Sequence, residues 1–418
     1  MTGDTTAKAG CGCSRREFIG RGLSTLGATA ALPLFLEETR LALAANALAG
    51  FEPEHPERIL VVLELSGGND GLNTVVPFTN DEYYRLRPTL GLRPEAVLKV
   101  SDEFGFHSNL LGFERLFKDG EMAVIHGCGY PNPNRSHFES MKFWHTGVPN
   151  APEERGWLGR FADAYYPEPK KSYIVNLAKE QSFALMSRVH SPVVFADPEH
   201  FTWDGTPEQK EVFKALSRER VSGNPSLDFV RSISATAGES SEFIRTACAE
   251  YRSKMDYGYG EIGVDLKRVA AMIAADSPAR IYYVSFGGFD THVSQAGQHG
   301  GLFNRLGDAA LAFLNDMKRL GRENDVALLM FTEFGRRVKE NASLGTDHGV
   351  ASPMFIVGAR LNGGFYGRHP SLTDLDEGDL KMTTDFRSVY ATMIKEWMGW
   401  DDARSVLKAD FPTLGVFA

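Results

Sequence analysis

Val326 to Gly349, VALLMFTEFGRRVKENASLGTDHG, joins an unbroken apolar run to a cluster of charged residues. The run from Val326 to Phe331 fits a strand buried on both faces. The acid Glu333 follows at once, and Asp347 and His348 come a loop later. Two other stretches repeat the arrangement: ILVVLELSGGND reaches Asp70, and RIYYVSFGGFDTH reaches Asp290 and His292. In an open α/β sheet, ligands collect beyond the carboxyl ends of the strands. Three strand ends bearing Asp, Glu and His therefore point to one shared, metal-holding site.

Outward from that stretch, strands alternate with long helices. Strands are expected at Ile59 to Leu65, Met122 to His126, Arg280 to Phe286 and Pro353 to Val357, and helices at Ile262 to Ala275, Leu302 to Leu320 and Phe386 to Met398. This alternation predicts an α/β fold, a doubly wound and mostly parallel sheet with helices on both faces. From Pro149 to about Pro278 the rhythm loosens, with short strand candidates at Tyr173 to Leu177 and Pro192 to Ala196. That block, about 150–278, reads as an insertion or lid on one domain spanning 50–418.

The chain has 418 residues, 43% hydrophobic and 24% charged, enough for a sizeable core. A net charge of -9 without a basic stripe argues against a nucleic-acid partner. The first 49 residues differ in character. Ser14-Arg15-Arg16-Glu17-Phe18-Ile19 precedes a Gly- and Ala-rich apolar segment and small-residue cleavage sites near Ala44 and Ala49, the pattern of a twin-arginine signal. The export machinery is thus an expected partner, and the periplasm or exterior the expected location. No later segment reaches the roughly 18 apolar residues of a transmembrane helix. Cys11 and Cys13 fall within the signal. Cys128 and Cys248 allow at most one disulfide, whose formation the sequence leaves open.

Asp290 and His292, two apart, share one side of an extended backbone and can reach one ion, with Gly287 and Gly288 permitting a tight turn before them. Asp347 and His348 are adjacent, so they sit on a turn or serve two ions. Gathered carboxylates of Asp70, Asp290, Glu333 and Asp347 would repel one another without a cation between them. Mixed carboxylate and imidazole ligation suits Zn, Mn or Fe, and oxygen-rich positions suit Mg or Ca. Ser136, where the loop GCGYPNPNRS enters a helix, is the candidate nucleophile as well as a natural helix cap. Arg135, Arg336, His107 and His137 are candidate substrate contacts; Arg337, beside Arg336, could likewise clamp phosphate or sulfate but is equally suited to solvent. No GxSxG, HExxH or Walker-type GKT or GKS occurs, which argues against an α/β-hydrolase, a zincin or a P-loop enzyme.

Together SRREFI, LELSGGNDGLNTVVP, GYPNPNRSHFES, GGFDTH, TEFGRR and GTDHGVASPMFIVG resemble the exported bacterial "domain of unknown function fifteen-oh-one" family. That family is similar to the alkaline phosphatase and sulfatase superfamily. The resemblance implies an alkaline phosphatase-like sheet around two divalent ions, with Asp70, Asp290, His292, Glu333, Asp347 and His348 as ligands and Ser136 at the nucleophile position. It implies an exported metal-dependent hydrolase of phosphate or sulfate esters, acting on a small-molecule or polysaccharide substrate. The competing expectation is a non-catalytic envelope or polysaccharide-binding protein that keeps the fold. Ser-His-Phe-Glu-Ser at 136–140 lacks the pattern needed for formylglycine, which argues against a formylglycine sulfatase.

Overall fold

In the computed structural model, β1 (Ile59–Leu65) is buried along its whole length. Its alternate residues feed two different cores. Ile59, Val61, Leu63 and Leu65 pack into one cluster, Leu60 and Val62 into the other. A strand covered on both faces has no polar alternation to show, which is why ILVVLEL is almost continuously apolar. Its one acid, Glu64, is held by His145 Nε2 at 2.8 Å and Tyr283 Oη at 2.5 Å. Burial raises the Glu64 carboxyl pKa, but these partners outweigh it and leave it below the ordinary range.

The described residues are 55–202, 205–217 and 224–417; the export signal read over 1–49, with Cys11 and Cys13, lies outside them. Around β1 the central sheet gathers β2 (Met122–Gly129), β3 (Ile174–Leu177), β4 (Val193–Phe195), β5 (Ile281–Phe286), β6 (Val326–Phe331), β7 (Ser352–Val357), β8 (Gly364–Tyr366) and β9 (Thr384–Asp385). The order is β8-β2-β7-β6-β1-β5-β3-β4, with β9 also paired to β2. β1 runs parallel to β5 and β6, β3 parallel to β5 and β4, and β8 and β9 parallel to β2. Only β7 is reversed, antiparallel to both β6 and β2.

That reversal shapes the site. β6 delivers the chain to the carboxyl edge of the sheet, and because β7 runs back down, the connecting segment Thr332 to Ala351 starts and finishes at that edge. Everything in TEFGRRVKENASLGTDHG stays beside the ends of β1 and β5.

Helices cover both faces. On one side lie α1 (Leu111–Lys118), the helix Glu261–Ala274 and the long helix Gln295–Leu320, through Phe113, Leu266 and Phe313 among others. On the other lie His137–Thr146, Trp157–Tyr165 and Phe386–Thr392, through Trp144, Trp157 and Tyr390. Each such fully buried large side chain contributes about 1.5–3 kcal/mol.

The middle block differs from its expectation as a mere insertion, because β3 and β4 extend the central sheet. Their short length hid that membership. The long helix expected from Leu302 starts at Gln295, its first turns masked in sequence by Gly297, Gly300 and Gly301. The helix expected through Met398 passes into a π-turn at Met393–Trp397. Cys128 and Cys248 are free thiols. No helix among the described residues is long and apolar enough to cross a membrane.

Candidate metal centre

After β1 the chain turns through Gly67 and Gly68, both at positive φ. A Cβ on Gly67 would stand 2.5 Å from Asp290 N, so only glycine lets this turn lie against the turn that follows β5. Gly67 N then donates to Glu333 Oε1 at 2.8 Å, joining the ends of β1 and β6. Gly288, at φ 102°, turns the chain after β5 so that Asp290 comes over the edge.

Four side chains meet here. His137, Asp290 and His348 each offer one ligand atom, all within 4.8 Å of one another. His292 Nε2 stands 3.1 Å from Asp290 Oδ1 and 2.9 Å from His348 Nε2. His137 Nε2 is buried without a hydrogen bond, 3.5 Å from Asp290 Oδ2.

The far nitrogen of each ring fixes its proton. His348 Nδ1 lies 2.8 Å from the Arg135 carbonyl oxygen, which can only accept, so Nδ1 carries the hydrogen. His137 Nδ1 faces Glu333 Oε1 at 2.7 Å, and His292 Nδ1 faces Asp347 Oδ1 at 3.3 Å. With all three Nδ1 protonated, three Nε2 lone pairs turn inward towards Asp290. Two of them, 2.9 Å apart, repel unless a proton or a cation lies between. Imidazoles backed by acceptors in this way are the usual support of a metal ligand. A set of three nitrogens and a carboxylate suits Zn or Mn better than Mg or Ca. Among the described residues one group of three potential ligands lies within such reach, His137, Asp290 and His348, and His292 stands beside it.

Electrostatics follow the same division. Burial raises the pKa of Asp290, but Arg336 and His348 overcome it and hold the carboxyl down at about 2. The Glu333 hydrogen bond raises His137, and burial lowers His348. Asn341 and then His292 keep Asp347 below the ordinary carboxylate range.

Several expected roles change place. Glu333 and Asp347 stand behind the rings: Glu333 Oε1 meets His137 Nδ1 and Gly67 N while Oε2 accepts from Thr332, and Asp347 Oδ1 meets His292 Nδ1 and Asn341 Nδ2. His137, expected to touch substrate, faces the centre itself. Asp347 and His348 diverge, one behind His292 and one within the group. Asp70 stands apart, fully buried, with Oδ2 at 2.6 Å from Arg87 Nη1 and 2.5 Å from Gln295 Nε2. Burial raises its pKa, yet Arg87 outweighs that and holds it low. A carboxylate so saturated has nothing left for a metal. Arg336 is no substrate contact either. Its buried guanidinium donates to the carbonyls of Gly67, Gly68, Phe289 and Thr346 and to Asp290, tying three loops together. His107 packs on Phe303, accepts from Asn109 N at 3.1 Å, and is pushed down by burial to about 4.

Ser136 is exposed at the N-cap of His137–Thr146, and its side chain makes no capping bond. Both chain neighbours touch the centre, Arg135 through its carbonyl and His137 through its ring. Arg135 and Arg337 converge on the buried Asp379, which lies on a short hairpin (Leu375–Asp376, Asp379–Leu380) that carried no signal in sequence.

The family described as "Protein of unknown function (DUF1501)" matches residues 122–410. No curated protein matches the sequence. Among solved structures the chain is similar to the C-terminal periplasmic domain of EcEptC from Escherichia coli in complex with Zn, at 12% identity over 75% of this chain and 76% of that one, TM-score 0.35. It is similar to a protein in the alkaline phosphatase superfamily from Vibrio parahaemolyticus, at 10% identity over 88% and 76%, TM-score 0.37. It is also similar to the lipoteichoic acid synthase LtaP from Listeria monocytogenes, at 9% identity over 82% and 81%, TM-score 0.35. These likenesses are too loose to carry a substrate or a mechanism to this chain.

Proposed function

The chain belongs to the DUF1501 family, and we propose that it is an exported, metal-dependent hydrolase of phosphate or sulfate esters with Ser136 as its nucleophile. One observation supports this above the rest: three imidazoles with committed Nδ1 atoms turn their Nε2 lone pairs onto one carboxylate, Asp290. His137, His292, His348 and Asp290 would hold a divalent ion, with Zn or Mn the best match to the donors. Such an ion, when bound, lowers the pKa of a nearby hydroxyl and polarises an oxyanion.

The chain's own residues do the rest. Ser136 Oγ attacks the phosphorus or sulfur, an Oγ ester bond forms, and the alcohol leaves. Water then cleaves that ester and restores the hydroxyl. Glu333 and Asp347 hold the rings of His137 and His292 in register, and the carbonyl of Arg135 does the same for His348. Freedom of the Ser136 hydroxyl from helix capping leaves it available for this role.

Elemental analysis of purified protein, paired with turnover of aryl phosphate and aryl sulfate esters, tests the reading. About one equivalent of bound metal is expected, with turnover that Ser136→Ala abolishes at unchanged metal content. Protein that purifies and reconstitutes without metal overturns it. Metal without turnover favours a binding protein instead, and full activity in Ser136→Ala removes the serine from the chemistry.

A further inference from the structure

Asp379 is wholly buried and pairs with two arginines, by a hydrogen bond to one and by charge alone to the other, its Oδ1 having no hydrogen-bond donor. Oδ2 accepts from Arg135 Nη2, and Oδ1 lies 3.5 Å from Arg337 Nε. Both arginines are rooted at the metal centre. The Arg135 carbonyl accepts from His348 Nδ1, and Arg337 N donates to the Asp347 carbonyl at 2.9 Å. Two guanidiniums side by side repel, and one buried carboxylate between them offsets that while leaving a net positive charge. Glu377 approaches Arg135 Nη1 only to 3.9 Å and is 78% exposed, so it neutralises little.

Donors are left over. Arg135 Nε is buried with no hydrogen-bond partner. The two Nη groups of Arg337 donate to nothing among the described residues. A buried N–H without an acceptor is costly, and guanidinium forks match the oxygens of a tetrahedral oxyanion.

We infer that Arg135 and Arg337 form an oxyanion subsite beside the centre, and that Asp379 is the positioning residue that aims the pair. The inference rests on the ester-hydrolase reading for its substrate but not for its measurement. Arg337 takes the place that Arg336, spent on backbone carbonyls, cannot fill.

The sign of one substitution separates positioning from simple charge. Inorganic phosphate, and inorganic sulfate in a parallel arm, are titrated into the purified protein as isolated, by calorimetry, with metal content measured on each sample. Arg337→Gln is expected to weaken binding about tenfold, one charge-assisted hydrogen bond's worth. Asp379→Asn is expected to weaken it also by about tenfold, although removing a negative charge should on electrostatics alone tighten it. Unchanged or tighter phosphate and sulfate binding in Asp379→Asn overturns the positioning role. Unchanged binding in Arg337→Gln overturns the subsite, and this half-buried position keeps the test decisive where Asp379→Asn does not fold. A wild type that binds phosphate but neither carries metal nor takes it up on reconstitution defeats the hydrolase reading and leaves the subsite standing.

Discussion

Asp70 and Asp290 begin alike, each an acid just beyond a buried parallel strand, and they end as opposites. Asp70 is sealed among Arg87, Gln295 and Asn73, with both side chains of the Arg87 pair fully buried. Asp290 is 49% exposed and surrounded by three imidazoles whose inward nitrogens lack fixed protons. Position at a strand end brings an acid to the functional edge, but its partners decide whether it holds the fold or the ligand. Each acid has a buried arginine, Arg87 for Asp70 and Arg336 for Asp290, so the difference lies in the rest of the shell: an amide and a backbone N–H seal Asp70, whereas inward lone pairs leave Asp290 open to a cation.

The largest expected effect sharpens that contrast. Asp70→Ala leaves Arg87 buried and unpaired, and should lower unfolding free energy by about 3–5 kcal/mol in urea titrations. Asp290→Ala, measured on metal-free protein, also takes a carboxylate from a buried arginine, but Arg336 keeps its carbonyl acceptors on Gly67, Gly68, Phe289 and Thr346, so the loss should be clearly smaller than at Asp70. Equal losses in the two variants would break the distinction.

Next in size is the response to metal. Zn or Mn at a hundredfold excess over its dissociation constant should stabilise wild type by about 2.7 kcal/mol, read as a rise in Tm. Asp290→Ala should show no such rise and Asp70→Asn should keep it; a rise in Asp290→Ala would remove that carboxylate from the centre.

Smaller again are the residues behind the rings. Asp347→Asn and Glu333→Gln should weaken metal affinity by about 10- to 100-fold without abolishing it, as read by competition with a chromogenic chelator. Complete loss would return them to the role of direct ligands.

The smallest effect is in pH. Because the folded-state pKa of Asp70 is depressed, its stabilisation is fully present above the ordinary carboxyl value of about 3.9 and is lost as pH falls through the folded value below it. Wild type should therefore lose stability on acidification below about pH 4 more steeply than Asp70→Asn. Parallel acid limbs would mean that Asp70 titrates alike folded and unfolded.

Much of this architecture was legible because burial on both faces writes an unbroken apolar run, as in Ile59 to Leu65 and Val326 to Phe331. Direction is not written in such a run, so the reversal of β7 was invisible although its residues were not. Asp290, His292 and His348 were legible as a group from their places after strands. The saturation of Asp70 was hidden in Arg87 and Gln295, partners that only tertiary folding supplies. His137 was not legible as a member of that group because a helix start, not a strand end, brings it to the centre. Asp379, at the turn Asp376-Glu377-Gly378-Asp379, looked like any solvated acidic turn.

The reversal of β7 has an evolutionary consequence. Since Thr332 to Ala351 leaves and rejoins the sheet at one edge, it is a closed excursion whose length the rest of the barrelless sheet does not feel. Doubling such a loop costs only about 0.6 kcal/mol in closure entropy. Relatives can thus lengthen the exposed tip at Ala342, Ser343 and Leu344, changing what the centre admits, while Asn341 and the strands on either side keep their places.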